Sequence, residues 1–372
     1  MCDTGCMSHT PIDFTPPHCP NRNCRFHKPI TSGWRYKRAG FFFRQQRPHR
    51  IQRFQCLVCQ RFFSTQTFLI TYWLKRADVV STLLTKAVGC MANRQIARDI
   101  GVSPKTVDDQ ISRLARHCML YHCRRIEHAP PPATVVVDGF ETFEHSQYYP
   151  FHFNLCVDKH TDFVHSFTDS ELRRKGRMTP EQKTRRRQLE DLYGRPDSAA
   201  IRKQMEALLR DTVGSACAVT VHSDDHPAYP MAMKRLRAKV THRITPGKDH
   251  RGVHNHLFPV NLLDLLIRHS QAGHKRETIA FAKRRAASAE RLAIFVVWRN
   301  YIKGRREKER DSPTPAMCRG VASRPLEPRE LLSRRLFYDH IPLPGRWRQY
   351  YQRLIRTRAL VRHREHRLKY AF

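Results

Sequence analysis

Two aspartates follow apolar runs that have the composition of buried strands. Asp138 follows the β-branched run at 134–137, and Asp224 follows a second run at 218–223. Burying a carboxylate at the end of such a strand costs free energy unless a cation or hydrogen bonds compensate for the lost water. Because Mg²⁺ prefers carboxylate oxygens, the pair predicts a divalent-metal site for phosphodiester chemistry. Asp225 is an adjacent competitor, and Asp224 is preferred because it comes first after the strand.

Four cysteines are arranged in two close pairs, Cys19 with Cys24 and Cys56 with Cys59. Each pair fits a tight turn that offers two thiolates to one ion, and two such turns complete a tetrahedral zinc site. Residues 34–54 are rich in aromatic and arginine side chains, which is typical of the short strands of a zinc ribbon with a basic surface. A site closed by four cysteines is structural, because no coordination position is left for chemistry. The alternative is a set of buried cysteines without a metal, and the other cysteines are interpreted as ordinary thiols.

The chain is strongly basic. Its 372 residues include 68 Lys and Arg against 33 Asp and Glu, a formal net charge of +35. This charge indicates a polyanionic partner, with nucleic acid as the leading candidate and a ribosome-like or RNA-binding protein as the alternative to a DNA enzyme. No apolar run approaches the roughly 20 residues that span a bilayer, and the N-terminus has no apolar signal region. We therefore expect an intracellular protein without a membrane partner.

Residues 93–107 have the pattern of a helix-turn-helix. Gly101 is suited to end the first helix, Ser103 to cap the second, and Pro104 to occupy its first turn, where no backbone N–H is needed. The outward face of the second helix is predicted to present four residues to a DNA major groove: Lys105, Thr106, Gln110 and Arg113. An amphipathic stretch at 73–88 would supply the supporting helix. The alternative is a helical hairpin that does not contact DNA.

The rest of the chain predicts an α/β domain after the prolines at 130–132. Strand-like runs lie at 134–143, 149–157, 163–168, 218–222 and 239–244, with a charged helical block at 171–211 and a short helix at 226–237. Three strands, helix, strand, helix, strand is the order of a ribonuclease-H-like fold, in which the first and fourth strands bring their carboxylates side by side. The predicted fold class is therefore multidomain: a zinc ribbon at 1–70, an all-α helix-turn-helix domain at 71–128, a ribonuclease-H-like catalytic domain at 134–302 and a basic C-terminal extension at 303–372.

With these parts in this order, the chain resembles the DDE transposases of bacterial insertion sequences and is similar to the insertion-sequence-one family. The resemblance spans roughly residues 15 to 302. The segments that carry it are the two cysteine pairs, the Val137-Asp138-Gly139 strand end, Ser223 to Tyr229, Thr241-His242-Arg243, His254-Asn255 and Lys275 to Lys283. The chain departs from the family in a longer charged insertion and in its extended C-terminal region.

The resemblance implies a DNA transposase that binds the ends of an insertion sequence and performs metal-dependent strand cleavage and strand transfer. The implied cofactors are structural Zn²⁺ and catalytic Mg²⁺ or Mn²⁺. The implied partners are double-stranded DNA and further copies of the chain on that DNA, in the bacterial cytoplasm and at the nucleoid when bound. Asp138 would bridge two metal ions, with Asp224 and a third acid holding one each. The competing function is a non-enzymatic regulator with a zinc ribbon, a helix-turn-helix and an inactive catalytic fold, but a regulator has no chemical need for three acids.

The third acid is predicted to be Glu290. The helix at 286–301 places it on an apolar stripe that must pack on the sheet, which would carry the carboxylate to the sheet edge. A lone glutamate there is costly without a cation, and the resemblance points to the same place, since the family's last acid follows the stretch at 281–283. The alternative is Glu277, which a surface ion pair with the basic residues at 275 and 276 explains.

The C-terminal stretch at 345–372 is densely basic, with Trp347, Tyr350 and Tyr351 among the charges. Such a segment can hold phosphates or stack on bases. A surface helix is the equal alternative.

Overall fold

A computed structural model describes residues 14–28, 33–45, 48–275 and 277–366. Residues 1–13 of the predicted zinc ribbon and residues 367–372 of the basic extension lie outside these ranges. Within the described ranges the chain forms two separate β-sheets with helices around them. None of the helices in these ranges combines the length and the apolar character that crossing a membrane requires.

The N-terminal sheet holds the cysteine pairs. Its three antiparallel strands lie in sequence order: β1 (Tyr36–Phe43), β2 (Arg50–Cys56) and β3 (Phe62–Ser64). A turn of 3₁₀ helix follows at Thr65–Phe68. The small core of this unit packs the cysteines against the rings of Phe26, Phe54, Phe63, Phe68 and Phe337. The last of these phenylalanines comes from the far end of the chain, which the sequence analysis did not anticipate.

Three helices follow the ribbon: α1 (Val79–Val88), α2 (Asn93–Asp99) and α3 (Pro104–Ile126). Gly101 adopts a φ of +63° in the turn between α2 and α3, a conformation that favours glycine. Ser103 caps α3, because its Oγ accepts a hydrogen bond from the backbone N–H of Thr106 at 3.1 Å. The turn and the cap agree with the predicted helix-turn-helix. The C-terminal half of α3 continues into the main core of the protein.

The second sheet has five strands: β4 (Thr134–Phe143), β5 (Pro150–Asp158), β6 (Val164–Glu171), β7 (Ala218–Ser223) and β8 (Lys239–Ile244). Their spatial order is β6-β5-β4-β7-β8. Strands β4, β5 and β6 form an antiparallel meander, whereas β7 runs parallel to β4 and β8 runs parallel to β7. The mixed α/β sheet agrees with the strand order that the sequence predicts. It also places the first and fourth of these strands side by side.

Helices cover both faces of this sheet. They are α4 (Pro180–Tyr193), α5 (Ala200–Val213), α6 (Ala228–Met233), α7 (Phe258–Ser270) and α8 (Arg285–Val297). On one face, Val135 and Val137 form a core with α5 and α6. On the other, Val136 and Phe140 join the main core, which also contains residues of α3, α7 and α8. Helix α4 buries no residue, as expected of a solvated charged block, but α5 from the same predicted block packs on the sheet.

The C-terminal segment is part of the main core. It contains α9 (Pro315–Cys318), α10 (Pro328–Ser333) and α11 (Gly345–Tyr351). Trp347 donates a hydrogen bond from Nε1 to the carbonyl of Phe167 at 2.9 Å, and Trp347, Tyr350 and Tyr351 are each at most 1% exposed. Both expectations for these rings, base stacking and a surface helix, are therefore wrong. Helix α8, for which a single apolar stripe was predicted, is buried on nearly all sides.

Candidate active site

Asp138 and Asp224 lie beside each other at the edge of the central sheet. Strands β4 and β7 pair with Val135 opposite Val221 and Val136 opposite His222. The same offset brings residue 138 level with residue 224. Asp138 lies in the middle of β4 and Asp224 directly follows the last residue of β7, and the charge of Asp224 acts on Asp138. The structure thus brings the two aspartates singled out in the sequence together.

A third carboxylate, that of Asp264 on α7, joins this pair, and the sequence analysis missed it. Helix α7 packs against β4 and β5 and turns Val260 and Ile267 toward the core. Asp264 lies beside this stripe, one helical turn from both residues, and its charge acts on Asp138. The sequence feature that could have identified Asp264 is an acid at the edge of the buried face of an amphipathic helix.

The electrostatic environment of Asp138 is strongly negative. Burial, followed by the charges of Asp224 and Asp264, raises the pKa of Asp138 to about 7. The backbone N–H of Gly139, 2.7 Å from Asp138 Oδ1, and the guanidinium of Arg251 act in the opposite direction. A bound cation would relieve this repulsion. Carboxylate oxygens are the ligands that Mg²⁺ and Mn²⁺ prefer, so the residue types suit such an ion, whose binding would draw the three carboxylates closer together than they lie in this structure.

The backbone around the acids is fixed by close contacts. Asp224 Oδ1 accepts a hydrogen bond from the backbone N–H of His226 at 3.0 Å. A Cβ atom at Gly139 would lie 2.6 Å from His152 Nδ1, so the position after the first aspartate accommodates only glycine. The ring of His152 is itself held by a contact of 2.9 Å between its Nε2 and the Oδ1 of Asn154. These contacts hold the acids in place without further ligands.

Glu290, expected to be the third acid, has other partners. Its carboxylate accepts hydrogen bonds from Nε and NH2 of Arg353 at 2.7 and 3.0 Å and from Oγ of Ser112 at 2.7 Å. The residue is 2% exposed and joins α3, α8 and the C-terminal segment. The structure brings Glu290 into this ion pair rather than to the aspartates, because the cation that offsets its burial is an arginine. The alternative, Glu277, is exposed.

The recognition face of the helix-turn-helix differs from the prediction. Lys105 is exposed and Thr106 is half-buried at the start of α3. In contrast, Gln110 is 3% exposed and donates a hydrogen bond to a backbone carbonyl of the segment 70–76, and Arg113 donates to two carbonyls of the same segment. The expectation that Gln110 and Arg113 face outward is therefore corrected. The segment that follows the ribbon covers this part of α3, which the helical periodicity alone does not reveal.

The four cysteines converge as predicted. The sulfurs of Cys19 and Cys59 lie 3.6 Å apart and those of Cys24 and Cys56 lie 4.0 Å apart, and all four lie within 4.8 Å of one another. A tetrahedral zinc site with Zn–S bonds of about 2.3 Å separates its sulfurs by about 3.8 Å. The cluster is therefore able to hold a metal ion, and its spacing fits zinc. Trp34 supports it by donating its indole N–H to the sulfur of Cys56 at 3.4 Å.

Comparison with solved structures gives a loose likeness to retroviral integrases. The chain is similar to the HTLV-2 integrase catalytic core domain, solved in complex with magnesium, with 11% identity over 52% of this chain and 98% of that chain and a TM-score of 0.23. It is also similar to a chain of the simian T-cell lymphotropic virus intasome in complex with the PP2A regulatory subunit B56 gamma, with 12% identity over 67% of this chain and 75% of that chain and a TM-score of 0.25. Likenesses with TM-scores this low carry no argument about this chain. No family model and no curated protein matches it.

Proposed function

We propose that this chain is a metal-dependent DNA transposase whose active site contains Asp138, Asp224 and Asp264. The observation that carries the proposal is the pairing of β4 with β7, which brings residue 138 level with residue 224 in a sheet with the strand order expected of a ribonuclease-H-like fold; the charge of Asp264 also acts on Asp138. These acids lie in a chain with a net charge of +35. Cleavage and joining of DNA strands require clustered acids close to a surface that attracts phosphates. The cysteine ribbon and the helix-turn-helix before this sheet support a place among the insertion-sequence transposases of bacteria.

Each acid has a distinct role in this proposal. Asp138 interacts with both other acids, so it is the residue suited to share the ions, while Asp224 and Asp264 flank it from β7 and α7. Mg²⁺ or Mn²⁺ bound here would neutralise charge on the scissile phosphate and lower the pKa of the attacking water or 3′-hydroxyl. Tyr229 lies beside the site, where burial and then the charges of Asp138 and Asp224 raise the pKa of its hydroxyl. Tyr229 therefore stays neutral and adds no charge to the site.

The proposed path of DNA follows exposed cations. Arg251 lies in the loop that precedes α7 and interacts with Asp138. Helix α4 exposes further cations: Lys183, Arg185 and Arg187. The first turn of α3, with Lys105 and Thr106, is the part of the helix-turn-helix that remains available for specific binding of the element's ends. Phosphate contacts release counterions. Each contact therefore makes the slope of log affinity against log salt concentration more negative by about 0.9.

The test is cleavage and strand transfer on DNA that carries the ends of the element encoding this chain. Asp138→Asn, Asp224→Asn and Asp264→Asn should each lower the Mg²⁺- or Mn²⁺-dependent rate by about 10³-fold or more, because each substitution removes a metal ligand with little change in size. Asp225→Asn is the matched control, since this exposed neighbour of Asp224 is not assigned to the site. DNA affinity should be unchanged in all four variants.

Two results would overturn the proposal in different ways. Near-normal cleavage by Asp138→Asn or Asp224→Asn would show that these acids do not take part in the reaction. A wild-type chain that binds the element's ends but does not cleave them in the presence of either Mg²⁺ or Mn²⁺ would be a DNA-binding regulator with an inactive fold.

A further inference from the structure

Three histidines meet beside the cysteine cluster, in a place that the proposed reaction does not use. His18 and His27 flank the first cysteine pair, and His340 comes from the C-terminal segment. One ring nitrogen of each lies within 4.8 Å of those of the other two. Among the described residues, this is the second group whose ligand atoms are close enough to share a metal ion, and the four cysteines form the first.

A single backbone carbonyl fixes the orientation of two of these rings. The Nδ1 atoms of His18 and His27 lie 3.1 and 3.0 Å from the carbonyl oxygen of Cys19. A carbonyl oxygen only accepts hydrogen bonds, so both Nδ1 atoms carry the proton and both Nε2 atoms present a lone pair. Histidines that ligate metals are oriented in this way, with the second ring nitrogen donating to a backbone carbonyl or a carboxylate.

Two of the remaining ring nitrogens are buried and have no hydrogen-bond partner among the described residues. His27 is 3% exposed, yet its Nε2 has no hydrogen-bond partner in the described part of the chain, and neither has Nε2 of His340. The ring of His340 lies against that of His27, with their centroids 4.6 Å apart. Each buried polar atom without a partner costs about 1–3 kcal/mol. A cation satisfies several converging lone pairs at once, whereas a water molecule has only two hydrogens to donate.

Asp339 lies beside this group. Its Oδ2 lies 3.5 Å from His27 Nε2, and its Oδ1 accepts a hydrogen bond from Arg22 at 2.9 Å. The arginine holds the carboxylate in place and leaves Oδ2 facing His27. The ring of Phe337, 4.8 Å from that of His18 and 5.5 Å from that of His340, lies against the group. Imidazole nitrogens and a carboxylate oxygen are established ligand types of four-coordinate zinc.

We propose that His18, His27 and His340 bind a second Zn²⁺ ion, separate from the ion expected at the cysteines. The carboxylate of Asp339, beside His27, would balance part of the charge of this ion. Because two of the ligands come from the ribbon and the third is residue 340, the ion fastens the C-terminal segment to the ribbon. The proposal does not depend on DNA cleavage, and a failure of one leaves the other standing.

The test is the zinc content of the full-length protein after dialysis against a weak chelator. We expect about two zinc equivalents per chain in the wild type and about one in His27→Gln and in His340→Gln, because glutamine is a poor zinc ligand. His128→Gln, a substitution of an exposed histidine, is the matched control and should retain both ions. X-ray absorption at the zinc edge should show an average of about two sulfur ligands per zinc in the wild type and about four in the two variants.

Two outcomes would overturn the second site. One is a wild-type protein that holds a single zinc with sulfur ligands only. The other is a pair of folded variants that both retain two zinc ions. If a variant fails to fold, the wild-type absorption spectrum decides alone, since nitrogen ligands at zinc are required by the proposal and absent from a site of four cysteines.

Discussion

The ion pair between Glu290 and Arg353 offers a sharp test of which acids act in chemistry and which in folding. The substitution Glu290→Gln removes the charge that offsets Arg353 but retains one oxygen, which can still accept from Ser112 or from the guanidinium. Removing one partner of a fully buried pair costs about 3–5 kcal/mol. Arg353 is 26% exposed, so water solvates part of its charge, and we expect the lower value of about 2–3 kcal/mol.

Urea unfolding, followed by tryptophan fluorescence, measures this loss. At a urea dependence of about 3 kcal/mol per molar, the expected loss lowers the midpoint by roughly 1 M. Glu277→Gln is the matched control, because this glutamate is exposed and its substitution should leave the midpoint unchanged. The double variant that also carries Arg353→Gln should lose less stability than the two single variants lose together, because both substitutions break the same contact.

Cleavage assays on the same proteins separate stability from chemistry. Below its unfolding transition, Glu290→Gln should cleave DNA at close to the wild-type rate, whereas Asp264→Asn should unfold like the wild type and not cleave. The opposite pattern would refute the reasoning. A Glu290→Gln protein with the wild-type midpoint and no cleavage would return Glu290 to the active site and remove Asp264 from it.

Three further predictions concern other parts of the fold. Burial alone would raise the pKa of Asp158, but His165 and the backbone N–H groups of residues 160 and 161 hold it below its ordinary value. Asp158→Asn should therefore lower the free energy of unfolding by about 1–2 kcal/mol at pH 7, measured with urea. The difference from the wild type should shrink as the pH falls below about 4, because the carboxyl of the unfolded chain then gains a proton that the folded state resists. Gly139→Ala should cost about 1–3 kcal/mol and abolish cleavage, because its Cβ meets His152. His152→Ala in the same chain should restore part of both, and no recovery would contradict the proposed clash. Cys56→Ser should release the zinc of the ribbon and lower the thermal midpoint, whereas Cys217→Ser, at an exposed thiol, should change neither; metal analysis and calorimetry measure both effects.

The sequence predicted the local elements well. The β-branched run before Asp138 and the run at 239–244 became strands with the predicted bounds, because β-branched residues favour an extended backbone. The turn at Gly101 and the cap at Ser103 followed from backbone chemistry that acts within a few residues. The cysteine pairs converged because each pair had the spacing of a metal-binding turn.

Residues whose partners are distant in the sequence were not predicted. Glu290 looked like a metal ligand because its cation, Arg353, lies in a segment that composition assigned to the surface. Gln110 and Arg113 looked exposed because the chain that covers them precedes α1. Asp264 was also not predicted, because its position beside Asp138 depends on the register of α7 against β4. The hydrophobic periodicity of a helix or strand shows which of its faces is buried. It does not show which segment covers the other face.

The contribution of Phe337 to the ribbon core has a consequence for biosynthesis. At about 5–20 residues per second, the ribosome needs on the order of tens of seconds to proceed from the first cysteine pair to this phenylalanine. Throughout that interval the nascent ribbon lacks one of its core rings and leaves part of Phe68 uncovered. Trp347, which donates a hydrogen bond to the central sheet, is synthesised later still. A chain released before Phe337 is synthesised therefore lacks core rings of both the ribbon and the main core.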